Sequence, residues 1–277
     1  MPNDARSFAA PQTSWLRRAA VSVVAALMAS LLLLFLAAPI VELIARGGGS
    51  GIARIGTDAE LRQSLLLTTW CAFAATLLGV LGGTPLAYAL SRRQFRGRAI
   101  VSALLDLPLL IPHPVAGIAL LLVFGRESAA GQAALAVGLR VVGTPVGIVL
   151  AMLFVSASLF ISGAREAFAR VDRRYEAVAR TLGDDAWGAF RRVTLPLASR
   201  GILASAIVMW ARAVSEFGAI VILTYNPKTA SVLSYDRFTT FGLPEALPVA
   251  AVLALLALIP LTLLRALHVE GTSGERA

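Results

Sequence analysis

Six long apolar stretches set the first limit on what this chain can fold into. They run over Ala19–Ile44, Leu65–Ala89, Ile100–Phe124, Thr144–Gly163, Gly201–Thr224 and Pro244–Leu267. Each has close to the ~20 residues a helix needs to cross the hydrocarbon core of a bilayer. Backbone groups find no water there, so a spanning segment must satisfy its own hydrogen bonds as a helix or in a closed barrel. The stretches are rich in Leu, Ala, Val and Ile and lack strand-like alternation. The expected fold is therefore all-α, an integral membrane protein with six transmembrane helices. The charged fraction agrees: 15% here, against ~25% in soluble domains. The first stretch follows Arg17 and Arg18. Its apolar run, about 25 residues, exceeds the ~7–15 of a signal-peptide core, so it is expected to remain as a span.

The chain carries 25 Lys and Arg residues and a net charge of +9, with Lys228 as the sole lysine. A basic chain raises the question of nucleic acid. The distribution of the charge answers it. The N-terminus, the second and fourth connections and the C-terminal end from Arg265 onward hold 17 of the 25, the other three connections hold 7, and Arg212 lies within a span. That bias puts both termini and the 165–200 segment in the cytoplasm. The charge thus follows from topology, and no nucleic-acid partner is expected. The expected layout is a cytoplasmic tail over 1–18, a six-helix domain over 19–267 with a cytoplasmic loop at 165–200, and a cytoplasmic tail over 268–277. One cysteine, Cys71, excludes an internal disulfide and a multi-cysteine metal site, and His113 and His268 are far apart in sequence. No metal site is expected.

Two connections read as modest. "RGGGSGIARIGTDAELRQ" (46–63) reads as a flexible outer loop. "GRESAAGQAALAVGLRVVG" (125–143) reads as a loop holding a short surface helix. The third span contains "LPLLIPHPVAG", with prolines at 108, 112 and 114. Proline removes backbone donors, which is tolerated at membrane depth only where protein or a wet cavity replaces them. Two readings stand: a kink against a neighbouring helix, or a bend that lines a path.

"YEAVARTLGDDAWGAFRRVTLP" (175–196) is the most polar long segment. Tyr175, Val178, Ala179 and Leu182 fall on one helical face. Gly183 suits a left-handed helix end, and Asp184 or Asp185 can cap the next turn. Trp187, Phe190 and Val193 follow on roughly one side, and Pro196 stands where the fifth span can begin. The pattern predicts two short helices meeting at an angle. They could lie on lipid headgroups through their arginines, or form a knob that docks in the groove of a partner. The turn at Gly183 favours the knob.

Glu176–Ala177, Gly183 and the later "VTLP" with Leu195 and Pro196 resemble the EAA signature of permease subunits of ABC importers. "ARAVSEFGAIVIL" (211–223) and "LPLLIPHPVAGIALLLVFG" (107–125) resemble spans of the molybdate/tungstate and sulfate permeases, and "SYDRFTTFGLPEALPVAAVL" (234–253) resembles the molybdate/tungstate branch most. Val178 stands where the signature often has Ala, and His113 where these permeases often have Pro; the spacing is unbroken. The resemblance covers roughly residues 60–267. It implies a type I ABC importer permease bundle in a bacterial inner membrane. It further implies an ABC ATPase subunit dimer as partner, an external oxyanion-binding protein, periplasmic or lipid-anchored, and a second permease subunit as a homodimer. Glu176, Ala177, Gly183, Leu195 and Pro196 would then meet the ATPase, with Trp187 and Phe190 as anchors.

The chain has no G-x-x-x-x-G-K-[ST] phosphate loop. It is expected to hold no cofactor, and ATP is expected on a separate chain. Arg212 and Glu216 stand four apart inside the fifth span. A charge at membrane depth costs ~2.5–3.5 kcal/mol on insertion scales, and a pair four apart offsets part of that. The pair reads either as structural or, with Ser215, Phe217, Pro112 and His113, as a translocation path or gate. A gradient-driven transporter would be expected to carry ionisable groups in several spans and two matching halves. No such halves are visible. No enzyme motif such as H-E-x-x-H appears either.

Overall fold

The computed structural model describes residues 13–273. The helices are α1 (Thr13–Thr57), α2 (Ala59–Arg92), α3 (Arg98–Leu110), α4 (His113–Phe124), α5 (Ala129–Ala136) and α6 (Pro145–Arg170). They continue as α7 (Arg173–Thr181), α8 (Ala186–Ala189), a π-turn (Phe190–Thr194), α9 (Leu195–Val214), α10 (Gly218–Leu223), α11 (Ala230–Phe241) and α12 (Leu243–Ser273). Among the described residues, five helical runs are long and apolar enough to cross a membrane, and the bent pair α3–α4 passes the same test when the two are taken together. The expected tail over 1–18 is helical from Thr13, and its residues 1–12 lie outside the described ones. Of the tail expected over 268–277, α12 takes in residues up to Ser273, and 274–277 lie outside.

Helix α6 is the central member, packed along α2 and α9. The α2 seam toward the bundle is made of small residues: Ser64, Thr68, Ala72, Ala75, Gly79, Gly83 and Ala87 are all buried. In lipid, apolar area gives no drive for helix association, so close contact has to come from small side chains. The seam uses that closeness. A Cβ on Gly83 would stand 2.8 Å from the Phe160 ring of α6. One buried cluster joins α2, α4, α6, α9 and α10 around Ala75, Ile148, Met152 and Ile220. A second, nearer α7, gathers Leu90, Phe160, Phe168 and Met209.

Three expectations are corrected. The segment 46–63 is not a flexible loop: α1 runs through it to Thr57, and Asp58 then caps α2 by accepting from Leu61 N at 3.0 Å. The reason is packing. A Cβ at Gly47 would lie 2.6 Å from Leu247 O, and one at Gly51 2.5 Å from Pro248 O. These two glycines, four apart, let α1 lie against the backbone of α12. The third span is not one helix, since its axis turns by 116° between α3 and α4. The fifth span is not Gly201–Thr224. The helix that carries it begins at Ala186, runs unbroken to Val214, and resumes as α10 after Ser215–Phe217. The short helix expected in 125–143 is α5, and α11 has no counterpart in the sequence reading.

At the end of the bundle away from α7, an ionic network binds the α1–α2 junction to α11. Arg237 Nη1 meets Asp58 at 2.7 Å and its Nη2 meets Glu60 at 3.2 Å. Lys228 Nζ bridges Glu60 and Asp236 at 3.2 and 2.7 Å, and the Tyr225 hydroxyl also donates to Asp236. The hydrogen bond from Arg237 holds the Asp58 carboxyl below its ordinary value, and that from Lys228 does the same for Asp236.

Two outcomes follow. Gly47→Leu or Gly51→Leu should overpack the α1–α12 seam and destabilise the protein by about 1–3 kcal/mol. Gly49→Leu, where nothing lies within 4 Å of an added Cβ, should not. Thermal unfolding in detergent distinguishes them. For the ionic network, depressed carboxyl pKa values mean stabilisation that is full above the ordinary aspartate value and lost as pH falls through the lower, folded value. Stability should hold from pH ~7 to ~5 and fall below ~4, less steeply in Asp58→Asn, as a pH series of melting curves would show.

Candidate functional site

Helix α7 and the turn after it form a projecting corner. Asp172 caps α7 by accepting from Arg174 N at 2.9 Å. The helix ends at Thr181 with Leu182 as its C-cap, and Gly183 adopts φ +101°, a left-handed backbone that a Cβ would strain. Gly183 N and Asp184 N bond back to Arg180 O and Ala179 O at 3.2 and 3.1 Å, closing the last turn. Of the two capping candidates it is Asp185 that caps α8, accepting from Gly188 N at 2.7 Å. The expected second short helix is not separate: α8 continues through the π-turn into α9. Thr194 closes that π-turn, with Leu195 half-buried and Pro196 exposed at the start of α9.

The apolar face of α7 is left open. Tyr175, Val178 and Leu182 are 57%, 55% and 83% exposed, Trp187 across the turn is 65% exposed, and of that face only Ala179 is buried. Ala177 is exposed as well. Phe190, grouped with Trp187 on sequence grounds, turns inward instead. Its ring lies 4.7 Å from Tyr88 and 6.0 Å from Phe168, with Trp187 stacked on it at 5.5 Å. Glu176 also faces the chain's own core. Its carboxylate accepts from Arg92 Nε at 2.8 Å, Thr194 Oγ1 at 2.7 Å and the Tyr88 hydroxyl at 3.2 Å. Nothing in the spacing around Arg92 or Tyr88 marks them as its partners; only the fold brings them there.

The second site lies inside the bundle, where two helix breaks meet. A Cβ on Gly218, at the start of α10, would stand 2.6 Å from His113 Cβ at the start of α4. Arg212 Nη2 donates to Glu216 Oε2 at 2.8 Å and lies 2.8 and 3.1 Å from the two ring nitrogens of His113. The other Glu216 oxygen accepts from Ala219 N at 2.9 Å, which caps α10. Ser231 Oγ donates to the Glu216 carbonyl at 2.8 Å. Glu216 is 1% exposed, whereas His113 and Ser215 are open on one side. The pair foreseen from the sequence therefore forms, and His113, expected beside it, is in contact with both members. Phe217 is half-buried with its ring 5.1 Å from that of Tyr235, and Pro112 is exposed at the bend. Ser215 and Phe217 border an apolar cavity of ≈ 560 Å³ between α9, α11 and α12. Among the described residues no group of three His, Cys, Asp or Glu could hold a metal ion.

A helical membrane bundle with a buried charge cluster at its two helix breaks and an open apolar corner at one end has the build of a membrane-embedded transport subunit. The chain belongs to the family of binding-protein-dependent transport system inner membrane components, whose model matches residues 79–269. It is 43% identical over 205 residues to the molybdate/tungstate transport system permease protein WtpB of Thermococcus kodakarensis, covering 74% of this chain and 76% of that one. It is 32% identical over 222 residues to a probable sulfate transport system permease protein of Chlorella vulgaris, covering 79% and 84%. A chain of a bacterial alginate ABC transporter, solved with an alginate pentasaccharide-bound periplasmic protein, superposes with a TM-score of 0.68 at 16% identity over 89% of this chain and 93% of that one. The fold is thus that of an ABC importer permease.

The charge cluster yields a test. Glu216→Ala leaves Arg212 with one partner fewer and uncaps α10, and should destabilise the protein by about 3 kcal/mol. Glu216→Gln keeps an acceptor for Ala219 N and should lose less. His113→Ala leaves the Arg212–Glu216 pair intact and should cost least. Melting temperatures of the three variants in one detergent give the order.

Proposed function

We propose that this chain is the permease subunit of an ATP-driven importer for an oxyanion of the molybdate/tungstate type. It would pass the anion from an external binding protein to the cytoplasm of a bacterial cell across the inner membrane. The observation that carries this reading is the open apolar corner of Tyr175, Val178, Leu182 and Trp187 in a chain of this family that has no phosphate loop. Nucleotide then binds a separate ATPase dimer, and the corner seats in it. The substrate class rests on the 43% identity to the molybdate/tungstate permease, against 32% to the sulfate permease.

Closure of the two ATPase subunits draws the corners of two permease copies together and tilts the helices behind them. ATP can bias the inward-open and outward-open states only by binding them unequally. The second permease is taken to be an identical copy, with both termini and the α7 corner on the cytoplasmic side, where the Arg excess lies. The Arg212–Glu216–His113 cluster stands beside the path. With Glu216 neutralising Arg212, it is suited to gating and poorly suited to holding an anion tightly, so anion selection falls to the binding protein.

Reconstituted with the ATPase and the binding protein, the chain should take up molybdate or tungstate only when ATP is present. Uptake that persists without ATP or the ATPase would favour a gradient-driven carrier. Gly183→Val, which strains the left-handed turn, should leave the protein inserted and the ATPase bound. ATP hydrolysis should then proceed with uptake lowered at least about tenfold; unchanged uptake would remove the coupling role of the turn.

A further inference from the structure

Glu176 sits in the motif taken to meet the ATPase, yet its carboxylate is 18% exposed and points at its own chain. Both oxygens are in use. Oε1 takes Arg92 Nε and Thr194 Oγ1, and Oε2 takes the Tyr88 hydroxyl. Tyr88 and Arg92 lie one turn apart at the end of α2. Thr194 belongs to the π-turn that leads into α9. Arg92 is 8% exposed, and its Nη2 donates to Val171 O at 2.9 Å, in the link between α6 and α7. The end of α2 and the π-turn leading into α9 therefore converge on one side chain of α7, and Arg92 ties the α6–α7 link to the same point.

We propose that Glu176 is a positioning residue, the tie through which movement of α7 is passed at once to α2 and to α9. The proposal rests on the transport reading above and deepens it. Little else fixes α7. The helix buries only Ala179, and its other tie to α2 is an exposed bond from Arg173 Nη2 to Ser91 O at 3.1 Å. The Arg192–Asp184 pair beside the turn is 66% exposed on the arginine, and such surface pairs hold little. A buried guanidinium whose carboxylate is removed is by contrast left uncompensated. Thr194 adds a second sign. A threonine within a helix commonly bonds back to its own preceding turn, whereas this one reaches across to another helix. Single π-turns recur at functional positions in helices. This one lets the Thr194 hydroxyl meet Glu176 while Phe190 of the same turn enters the aromatic cluster with Tyr88 and Phe168.

The test is a double-mutant cycle on the full chain with Glu176→Ala, Arg92→Ala and both. In the purified permease alone, amide exchange over α7 should rise about tenfold in either single variant and no further in the double. In the complex with the ATPase, anion taken up per ATP hydrolysed should fall about tenfold in each and no more in the double, with the ATPase still bound. Thr194→Val, which keeps shape and removes one bond, should move both readouts the same way by about threefold and serves where an alanine variant fails to fold. Unchanged exchange, an unchanged uptake ratio, or single effects that multiply would overturn the tie. Loss of the ATPase in Glu176→Ala but not in Arg92→Ala would overturn it too, making Glu176 a docking contact. If the wild-type chain takes up anion without ATP, the transport reading falls, and the exchange measurement on the permease alone still decides the tie.

Discussion

The bundle depends on Glu216. Two helices break inside an apolar protein, and each break frees backbone groups that lipid cannot satisfy. The breaks at Ile111–Pro112 and Ser215–Phe217 are set side by side, and Glu216 serves both. One oxygen caps α10; the other holds Arg212, which in turn lies against His113 at the first residue of α4. A carboxylate this deeply buried is tolerated because every interaction it needs is supplied by its immediate surroundings. Gly218 and Gly117 permit this by letting α4 and α10 approach to backbone distance. The broken helices are thus a matched pair, and the charge pair within them belongs to the architecture before it belongs to any path.

A different logic governs the α7 corner. There the chain leaves apolar side chains uncovered and spends its polar contacts inward. Tyr175, Val178, Leu182 and Trp187 face out, while Glu176 and Phe190 face in. Arg173, Arg174, Arg180, Arg191 and Arg192 are exposed as well. The corner is a protrusion closed off by a left-handed glycine. It is fastened to α2 and to the start of the α9 run from behind and is open in front.

Much of this was legible in the sequence. Hydrophobic runs located six membrane-level segments because their length is imposed by the bilayer. The α7 helix, its end at Gly183 and a cap at Asp184 or Asp185 followed from local chemistry. The Arg212–Glu216 pair followed from a four-residue spacing. What escaped notice depends on neighbours far away in sequence. "RGGGSG" reads as flexible because glycine is permissive alone, but its permissiveness here is used for contact with Leu247 and Pro248 of α12. Three prolines announced a bend in the third span, but its 116° is set by what α4 packs on. Phe190, in the π-turn, does stack with Trp187, as the spacing suggested, but its contacts with Tyr88 and Phe168 come from elements far away in sequence. His113 was grouped with the pair from the sequence, but its contact with Arg212 is made by the close approach of α4 and α10.

That π-turn has a consequence for the phase of the fifth span. A π-turn holds about one residue more than an α-helical turn, and each residue advances an α-helix by ~100° about its axis. Residues before Phe190 and after Thr194 are therefore out of step by about that angle. One helical rod presents two different faces: Trp187 toward the α7 corner, and Ala198, Ser205 and Met209 toward α6 and α2. Losing a single residue between 190 and 194 would bring the rod into one phase and swing Trp187 about a third of a turn around it. The two ends of this helix are thus indexed against each other by one extra residue.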